Sequence, residues 1–562
     1  MTKKWETYSV DGNVIKEIAS KNNISLLLAR ILVNRGINTD EKIKKFLYPS
    51  LEDLYDPYML NDMDIAVKRI NQAIEQKEKI TIYGDYDVDG ITSITILKRF
   101  LDENGIIVDY YLPNRLEEGY GLNNNALQKI KDRGTTLLIT VDCGISAYNE
   151  IEFAKSLGID VIVTDHHECP AVLPDTFAVI DPKRPDSTYP FNSLAGVGVT
   201  FKLIHALSIS MDLPSESYLK YLDIVCLGTV ADIVPLVEEN RVIVKYGLEY
   251  IKKTKNIGLK ALINISGYSE IDSSAISFGL APRINACGRM GEADIAVEML
   301  LTSDENIAAD IANKLQEKNK ERQEVEKGIM ADAVAKIEEA KMYNDNAIVV
   351  GSENWYHGVI GIVASKITDL YYKPSILVCF DDEIGKGSGR SIDGFDLHEA
   401  LNVASEHLQK FGGHEMAIGL SVEKNKFNDF KDAIVKYANE KITEEFLPII
   451  KIDAEVSTKE VSGKTIQDLK LLEPYGENNM PPIFMYKNIK VDSIRTLSND
   501  KHLKLNVKDG NIVFDAIAFN MGDKKDSIRM GDKVDILFHL EINKFNGRET
   551  IQLNVKDIKK SL

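Results

Sequence analysis

Three acidic segments, each directly after an apolar run short enough to be a buried strand, constrain this 562-residue chain more than any other feature. They are Ile82-Tyr83-Gly84-Asp85-Tyr86-Asp87-Val88-Asp89-Gly90, Ile139-Thr140-Val141-Asp142-Cys143-Gly144 and Val161-Ile162-Val163-Thr164-Asp165-His166-His167. A carboxylate where a buried strand ends is costly to desolvate unless something cationic meets it. Parallel strands of an α/β sheet end on one common edge, and that edge is where such sheets bind ligands. Three acidic strand ends, one with a histidine pair, therefore imply a shared divalent-metal site. Hydrolysis of a phosphate ester is the expected chemistry.

The chain is too long for one core, and its patterns divide it. Residues 1–60 read as a small helical lead-in, with 24–32 as its apolar piece. Over 61–265, strands at 79–83, 106–112, 136–141 and 159–164 alternate with helices at 91–104, 122–132 and 149–156, the signature of βαβ units and a mostly parallel sheet. Five prolines from Pro170 to Pro190 mark a long irregular connection, and helical patterns resume near Val199. Within 266–344, the stretch Ser303–Met342 holds no proline and one glycine. There Ile307, Ile311 and Leu315 repeat every four residues among charges, which predicts a long, partly exposed connector helix. A second α/β unit spans 345–448. In 449–562, short alternating strands separated by turns such as Asp509-Gly510 and Asn546-Gly547 predict a small antiparallel barrel.

The net charge of −18 sits badly with a nucleic-acid partner until the chain is split. Residues 449–562 carry 19 Lys and Arg against 17 Asp and Glu, a balance of +2, which leaves −20 on the remainder. Local potential rather than net charge steers a ligand, so an acidic body is compatible with a locally basic groove. Five cysteines (Cys143, Cys169, Cys226, Cys287 and Cys379) are scattered without a CxxC pair, which suits a reducing cytosol and argues against a zinc ribbon. No segment approaches a membrane span, and the N-terminus lacks the apolar core of a secretory signal, so a cytoplasmic protein is expected.

Taken singly, each acidic motif has a plain reading. Asp85-Tyr86-Asp87-Val88-Asp89-Gly90 opens like a calcium EF-hand loop, but position twelve falls on Ile96, where a bidentate Glu is required. An Asp after a strand, such as Asp142, is most often a helix N-cap. Two adjacent histidines are most often structural. Asp232, however, lies in Thr229-Val230-Ala231-Asp232-Ile233-Val234-Pro235 with no basic neighbour, and a buried unpaired Asp needs a partner. Jointly, mixed carboxylate and imidazole donors suit Mn²⁺ or Mg²⁺ better than zinc, and two such ions would activate water and stabilise a leaving oxygen.

These motifs, with 194–203, 280–290, 355–367, 387–401 and 411–420, resemble the DHH phosphoesterase superfamily, and within it the 5′→3′ exonucleases of single-stranded DNA. The resemblance implies a parallel-sheet DHH domain, a connector, a smaller α/β DHHA1 domain and an oligonucleotide-binding (OB-type) barrel. It implies that Asp85, Asp87, Asp89, Asp142, His166, His167 and Asp232 form or brace a two-metal centre of Mn²⁺ or Mg²⁺. Asp142 would bridge, and His167 would act on the phosphate as acid or electrophile. Which loop aspartates ligate directly stays open. Ser388 and Arg390 in Gly387-Ser388-Gly389-Arg390-Ser391, with Arg115, would take a 5′-phosphate, and an Arg fork beside exposed backbone N–H groups suits that dianion. Gly412, Gly413 and His414 would bind substrate, with Arg283 and Arg289 on backbone phosphates and Gln323 a lesser candidate. Relatives carry His where this chain has Tyr83, which would weaken the first metal if that position ligates.

In the barrel, Phe514, Phe519, Phe538 and Phe545 lie among basic residues and could stack on bases, although each alone is more often core. Phe545, beside a turn, is expected to be exposed. The expected function is a single-strand-specific 5′→3′ exonuclease that releases 5′-mononucleotides in recombination and repair. A single-strand-binding protein and a RecQ-type helicase are implied partners. The alternative is a small-substrate DHH phosphoesterase acting on oligoribonucleotides or cyclic dinucleotides, and the extra barrel weighs against it.

Overall fold

The computed structural model describes residues 3–114, 118–119, 121–444, 446–545 and 548–561, the side chains of 544, 545 and 548 excepted. Five parallel strands form the first sheet, in the order Asp109–Tyr111, Ile80–Gly84, Leu137–Val141, Asp160–Thr164, Ala178–Ile180. Ile80–Gly84 and Leu137–Val141 are buried along their whole length. That is why they read as continuous apolar runs rather than as an alternation. One face packs under Val88–Glu103, Gly196–Ser210 and Leu222–Ala231. Asn124–Asp132 and Tyr148–Ser156 cover the other. The edge strand Ala178–Ile180 sits inside the proline-rich connection that the sequence reads as irregular.

The connector is a 35-residue helix, Glu305–Glu339, and it changes partner along its length. Ile311, Ala312 and Leu315 pack into the first core, while Ile329, Ala333 and Ile337 pack into the second unit. That unit has the sheet order Leu408–His414, Ala417–Glu423, Ile384–Arg390, Ser375–Asp381, Ile348–Ser352, with only the last pair parallel.

The barrel closes through five strands. Phe484–Leu497 pairs with His502–Asp509, then Ile512–Ala518, Arg548–Lys560 and Lys533–Phe545, which returns to Phe484–Leu497. The N-terminal lead-in departs from its sequence reading. Besides its helices it contributes a strand, Lys4–Thr7, parallel to Ile449–Ile452. Its helices Gly12–Asn22, Leu26–Asn34 and Asp40–Leu47 share one hydrophobic core with the barrel. The two ends of the chain thus build one module.

Arg241 fastens that module to the first unit. It is 1% exposed. It donates to the carbonyls of Phe46 (2.6 Å), Leu471 (3.0 Å), Leu472 (3.0 Å), Glu473 (2.9 Å) and Pro474 (3.4 Å). Its guanidinium stacks 3.9 Å from the Phe46 ring centroid. Burial, with Arg35 nearby, lowers its pKa to about 9. Five carbonyl acceptors are what let such a group sit inside. No described helix is long and apolar enough to cross a membrane.

Candidate metal centre and nucleic-acid interface

The acidic strand ends converge. Asp85, Asp87 and Asp142 bring ligand atoms within 4.8 Å of one another, as do Asp89, His166 and Asp232, and Asp142, His166 and His167. Asp142 and His166 each belong to two groups, so the three form one continuous cluster at the carboxyl edge of the sheet.

Local structure holds each donor. Asp87 is the N-cap of Val88–Glu103, accepting from the N–H of Asp89 (2.9 Å) and Gly90 (3.1 Å). The common N-cap role therefore falls to Asp87 and not to Asp142. Asp142 instead has φ 59°, a left-handed conformation that few non-glycine residues adopt. The helix Gly196–Ser210 starts against the cluster, and the N–H groups of Gly196 (2.6 Å) and Val197 (2.7 Å) donate to the two oxygens of Asp89. A Cβ at Gly196 would lie 2.7 Å from Asp142 Cβ and Oδ1, so only glycine permits this approach. Asp232 ends the helix Leu222–Ala231.

The electrostatics call for a cation. His166 Nε2 lies 3.1 Å from Asp142 Oδ1, 3.6 Å from Asp232 Oδ2 and 3.7 Å from Asp89 Oδ2, yet it is buried and makes no hydrogen bond. Burial, and then the positive His167 beside it, hold its pKa down to about 3, so it offers a lone pair rather than a charge. Burial and neighbouring carboxylates push Asp89 up to about 7, Asp232 up to about 9 and Asp142 well above the usual range. Such groups ionise together only around bound positive charge. An unbonded imidazole nitrogen among convergent carboxylate oxygens fits Mn²⁺ or Mg²⁺.

His167 differs from its neighbour. Its Nδ1 is 2.7 Å from Asp165 Oδ1, and its side chain is 46% exposed. Burial works against its charge, but the Asp165 hydrogen bond and charge outweigh that and raise it to about 9. Asp165 also accepts from the N–H of His166 (2.7 Å), His167 (3.2 Å) and Ile145 (2.9 Å). The sequence reading gives Asp165 no role, although its place before the histidine pair is a signal. Tyr83 does not face the cluster. Its hydroxyl donates to Gly121 O (2.8 Å) and its ring stacks on Tyr111 at 5.4 Å.

The helix Ala281–Arg289 spans from this cluster to the second unit. Asn285 Oδ1 accepts from Val88 N–H (3.3 Å), and a Cβ at Gly288 would strike Tyr86 O at 2.3 Å. Arg289 donates to Gly358 O (3.2 Å) at the start of the helix His357–Tyr371. Arg283 faces inward, donating to Gln316 Oε1 (2.7 Å) and Gly279 O (2.5 Å). Gln323 is exposed on the connector.

Sheet register gathers the second set of expected residues. Ser388 pairs with Gly419, which pairs with Gly412, and Arg390 pairs with Ala417, which pairs with His414. A Cβ at Gly412 or Gly419 would meet nothing within 4 Å, so an open glycine floor extends beside Ser388. Gly413 has φ +135°, and a Cβ there would hit Ala417 O at 2.3 Å. Arg390 donates to Ser388 Oγ (3.2 Å) and Gly389 O (2.7 Å). Burial alone lowers its pKa, and no carboxylate pairs with it among the described residues. Gly361, on the helix above, would place a Cβ 3.1 Å from Ser388 Oγ. Arg115 lies outside the described residues.

The barrel aromatics divide. Phe514 and Phe538 are core, at 6% and 0% exposure. Phe519 is 49% exposed beside His502, with ring centroids 5.3 Å apart. The expected exposure of Phe545 lies outside the described side chains.

Comparison with known proteins matches three family models. They are the DHH family, N-terminal domain, over residues 79–229, the DHHA1 domain over 344–440 and the RecJ OB domain over 452–557. The single-stranded-DNA-specific exonuclease RecJ of Bacillus subtilis (strain 168) is 40% identical over 560 residues, covering 99% of this chain and 70% of that protein. Its counterpart in Haemophilus influenzae is 34% identical over 564 residues, covering 96% and 97%. The crystal structure of RecJ in complex with Mn²⁺ from Thermus thermophilus superposes with a TM-score of 0.86 at 29% identity, covering 100% of this chain and 80% of that one. The Mg²⁺ complex from the same organism gives 0.80 at 28% identity, covering 100% and 79%.

Proposed function

The chain belongs to the RecJ family of single-stranded-DNA-specific exonucleases, and from that membership we propose how its own residues carry the reaction. It is a metal-dependent nuclease of single-stranded DNA. The observation that carries the reading is the convergence of Asp89, Asp142 and Asp232 on the unbonded His166 Nε2, with Asp85 and Asp87 joined to the same cluster through Asp142.

Asp85, Asp87 and Asp142 would hold one Mn²⁺ or Mg²⁺ ion, and Asp142, His166 and Asp232 would hold a second, with Asp89 braced beside them by Gly196 and Val197 N–H. When bound, the ions supply a water of lowered pKa and charge stabilisation at the phosphoryl oxygens. His167, its Nδ1 occupied by Asp165, carries a proton on Nε2 at neutral pH and donates it toward the scissile phosphate.

Polarity follows from end recognition. Ser388 Oγ and the Arg390 fork take the 5′-phosphate, and the first nucleotide lies along Gly412, Gly413 and His414. Arg289 stands on the bridge between this floor and the metal cluster. Strand cleavage therefore proceeds 5′→3′ and releases 5′-mononucleotides. The exposed Phe519 extends the path onto the barrel. An enzyme confined to unpaired ends needs them opened and kept open, which favours a RecQ-type helicase and a single-strand-binding protein as partners in recombination and repair. Five free cysteines suit a cytoplasmic setting.

The test gives a 5′-labelled single strand, its blunt duplex and a dinucleotide to the purified chain with Mn²⁺ or Mg²⁺. The single strand should be cleaved fastest, from its 5′ end. A preference for the dinucleotide would favour the small-substrate phosphoesterase, and cleavage of the duplex would remove single-strand specificity.

A further inference from the structure

Asp232 sits at the head of a bend, 232–237, between the helices Leu222–Ala231 and Glu238–Ile251. Two non-glycine residues here have left-handed backbones, Ile233 within the bend at φ 60° and Glu238, the first residue of the following helix, at φ 44°. A β-branched residue in that region is unusual, and such a conformation persists only where the surroundings over-determine it.

Much of what over-determines this bend comes from the other end of the chain. Leu236 N–H donates to Glu477 O at 2.9 Å. The Leu236 side chain, 2% exposed, covers Gly476, where a Cβ would lie 2.5 Å from Leu236 Cδ1 and 2.9 Å from its Cγ. From within the first unit, Asn240 donates to Pro235 O (3.1 Å) and Ser193 O (2.5 Å).

The segment 471–480 that supplies Gly476 and Glu477 is itself fixed. Arg241 holds its first carbonyls, and Asn479 donates to Leu472 O and Pro474 O, both at 2.7 Å. Gly476 and Asn479 exchange backbone bonds of 3.1 and 3.0 Å, and Arg35 of the lead-in donates to Met480 O at 2.6 Å. Ser273 Oγ donates to Tyr475 O at 2.5 Å.

We propose that segment 471–480 is a brace for the Asp232 bend, with Gly476 and Leu236 as positioning residues, so the barrel module holds part of the metal centre in place as well as a DNA strand. The inference rests on reading Asp232 as a metal ligand. It makes the fused lead-in and barrel part of the catalytic framework, because a supporting contact removed from a metal ligand loosens the metal.

The test uses the full chain with Gly476→Val, the double variant Gly476→Val/Leu236→Ala, and Asp232→Asn. Mn²⁺ affinity is read from the free-ion electron paramagnetic resonance signal, and kcat and KM from a short 5′-phosphorylated oligonucleotide. Gly476→Val should weaken Mn²⁺ binding and lower kcat by about 10- to 100-fold, with KM unmoved. Leu236→Ala should restore much of both by vacating the space the new side chain enters. Wild-type Mn²⁺ affinity in Gly476→Val, beside weakened affinity in Asp232→Asn, would overturn the brace and leave the ligand reading standing. A Gly476→Val loss that Leu236→Ala does not recover would also overturn the brace. Wild-type affinity in Asp232→Asn would overturn both.

Discussion

Arg390→Ala should remove most of the preference for a 5′-phosphate while sparing the metal centre. The guanidinium is largely withdrawn from water, no described carboxylate neutralises it, and its bonds to Ser388 Oγ and Gly389 O both stay on its own strand. It is thus an uncompensated cation held beside an open glycine floor, and an incoming dianion meets no competing carboxylate among the described residues. A hydrogen bond to a charged group is worth about 1.5–3 kcal/mol. Losing it should reduce kcat/KM on a 5′-phosphorylated strand by about 10- to 150-fold. The same strand with a 5′-hydroxyl should be nearly unaffected. Arg390→Lys should recover only part of the loss, since a point charge cannot reproduce the fork. Ser388→Ala, which removes a neutral donor worth about 1 kcal/mol, should cost about fivefold. The assay is initial rate on matched strands differing only at the 5′ end, with Mn²⁺ saturating. Equal losses on both would refute end recognition by Arg390 and return Gly387-Ser388-Gly389-Arg390-Ser391 to the status of a structural strand.

Asp142→Ala should eliminate cleavage while single-strand binding, measured by fluorescence anisotropy, persists; cleavage at the wild-type rate would refute the bridging role. Because burial and repulsion keep Asp89, Asp142 and Asp232 protonated to unusually high pH, Mn²⁺ must displace protons. Its affinity should therefore rise between about pH 6 and 9 with proton release seen by calorimetry in paired buffers, and a pH-independent affinity would contradict this. Phe519→Ala should weaken binding of a long strand by about 1–3 kcal/mol and leave a short one unchanged; no change would put base stacking elsewhere. Deleting 449–562 should leave the lead-in residues Leu28, Ile31, Leu32 and Phe46 without their core, giving aggregation on size-exclusion chromatography. A monodisperse product would show that the lead-in folds without the barrel.

The acidic edge of the first sheet was legible because its strands are buried on both faces, so each reads as an unbroken apolar run that stops at an Asp. Asp232 was legible for the opposite reason, an acid amid apolar residues with no local partner. What sequence could not show is pairing between distant segments. Nothing near Lys4–Thr7 announces a parallel partner at Ile449–Ile452, and a three-residue edge strand such as Ala178–Ile180 is hidden among prolines. Asn285 and Arg241 bond to backbone groups far along the chain, and the Gly196 N–H bonds to the distant Asp89 carboxylate; a lone polar residue or glycine carries no mark of such a partner. The four barrel phenylalanines look alike in sequence, and only closure of the barrel separates core Phe514 and Phe538 from exposed Phe519.

The position of bound cations is the most direct test of the two-metal centre. Manganese anomalous scattering from crystals of this chain should give two adjacent peaks at the carboxyl edge of the first sheet. One should contact Asp85, Asp87 and Asp142, and the other Asp142, His166 and Asp232. Manganese located elsewhere, with these side chains in contact with no metal, would contradict it.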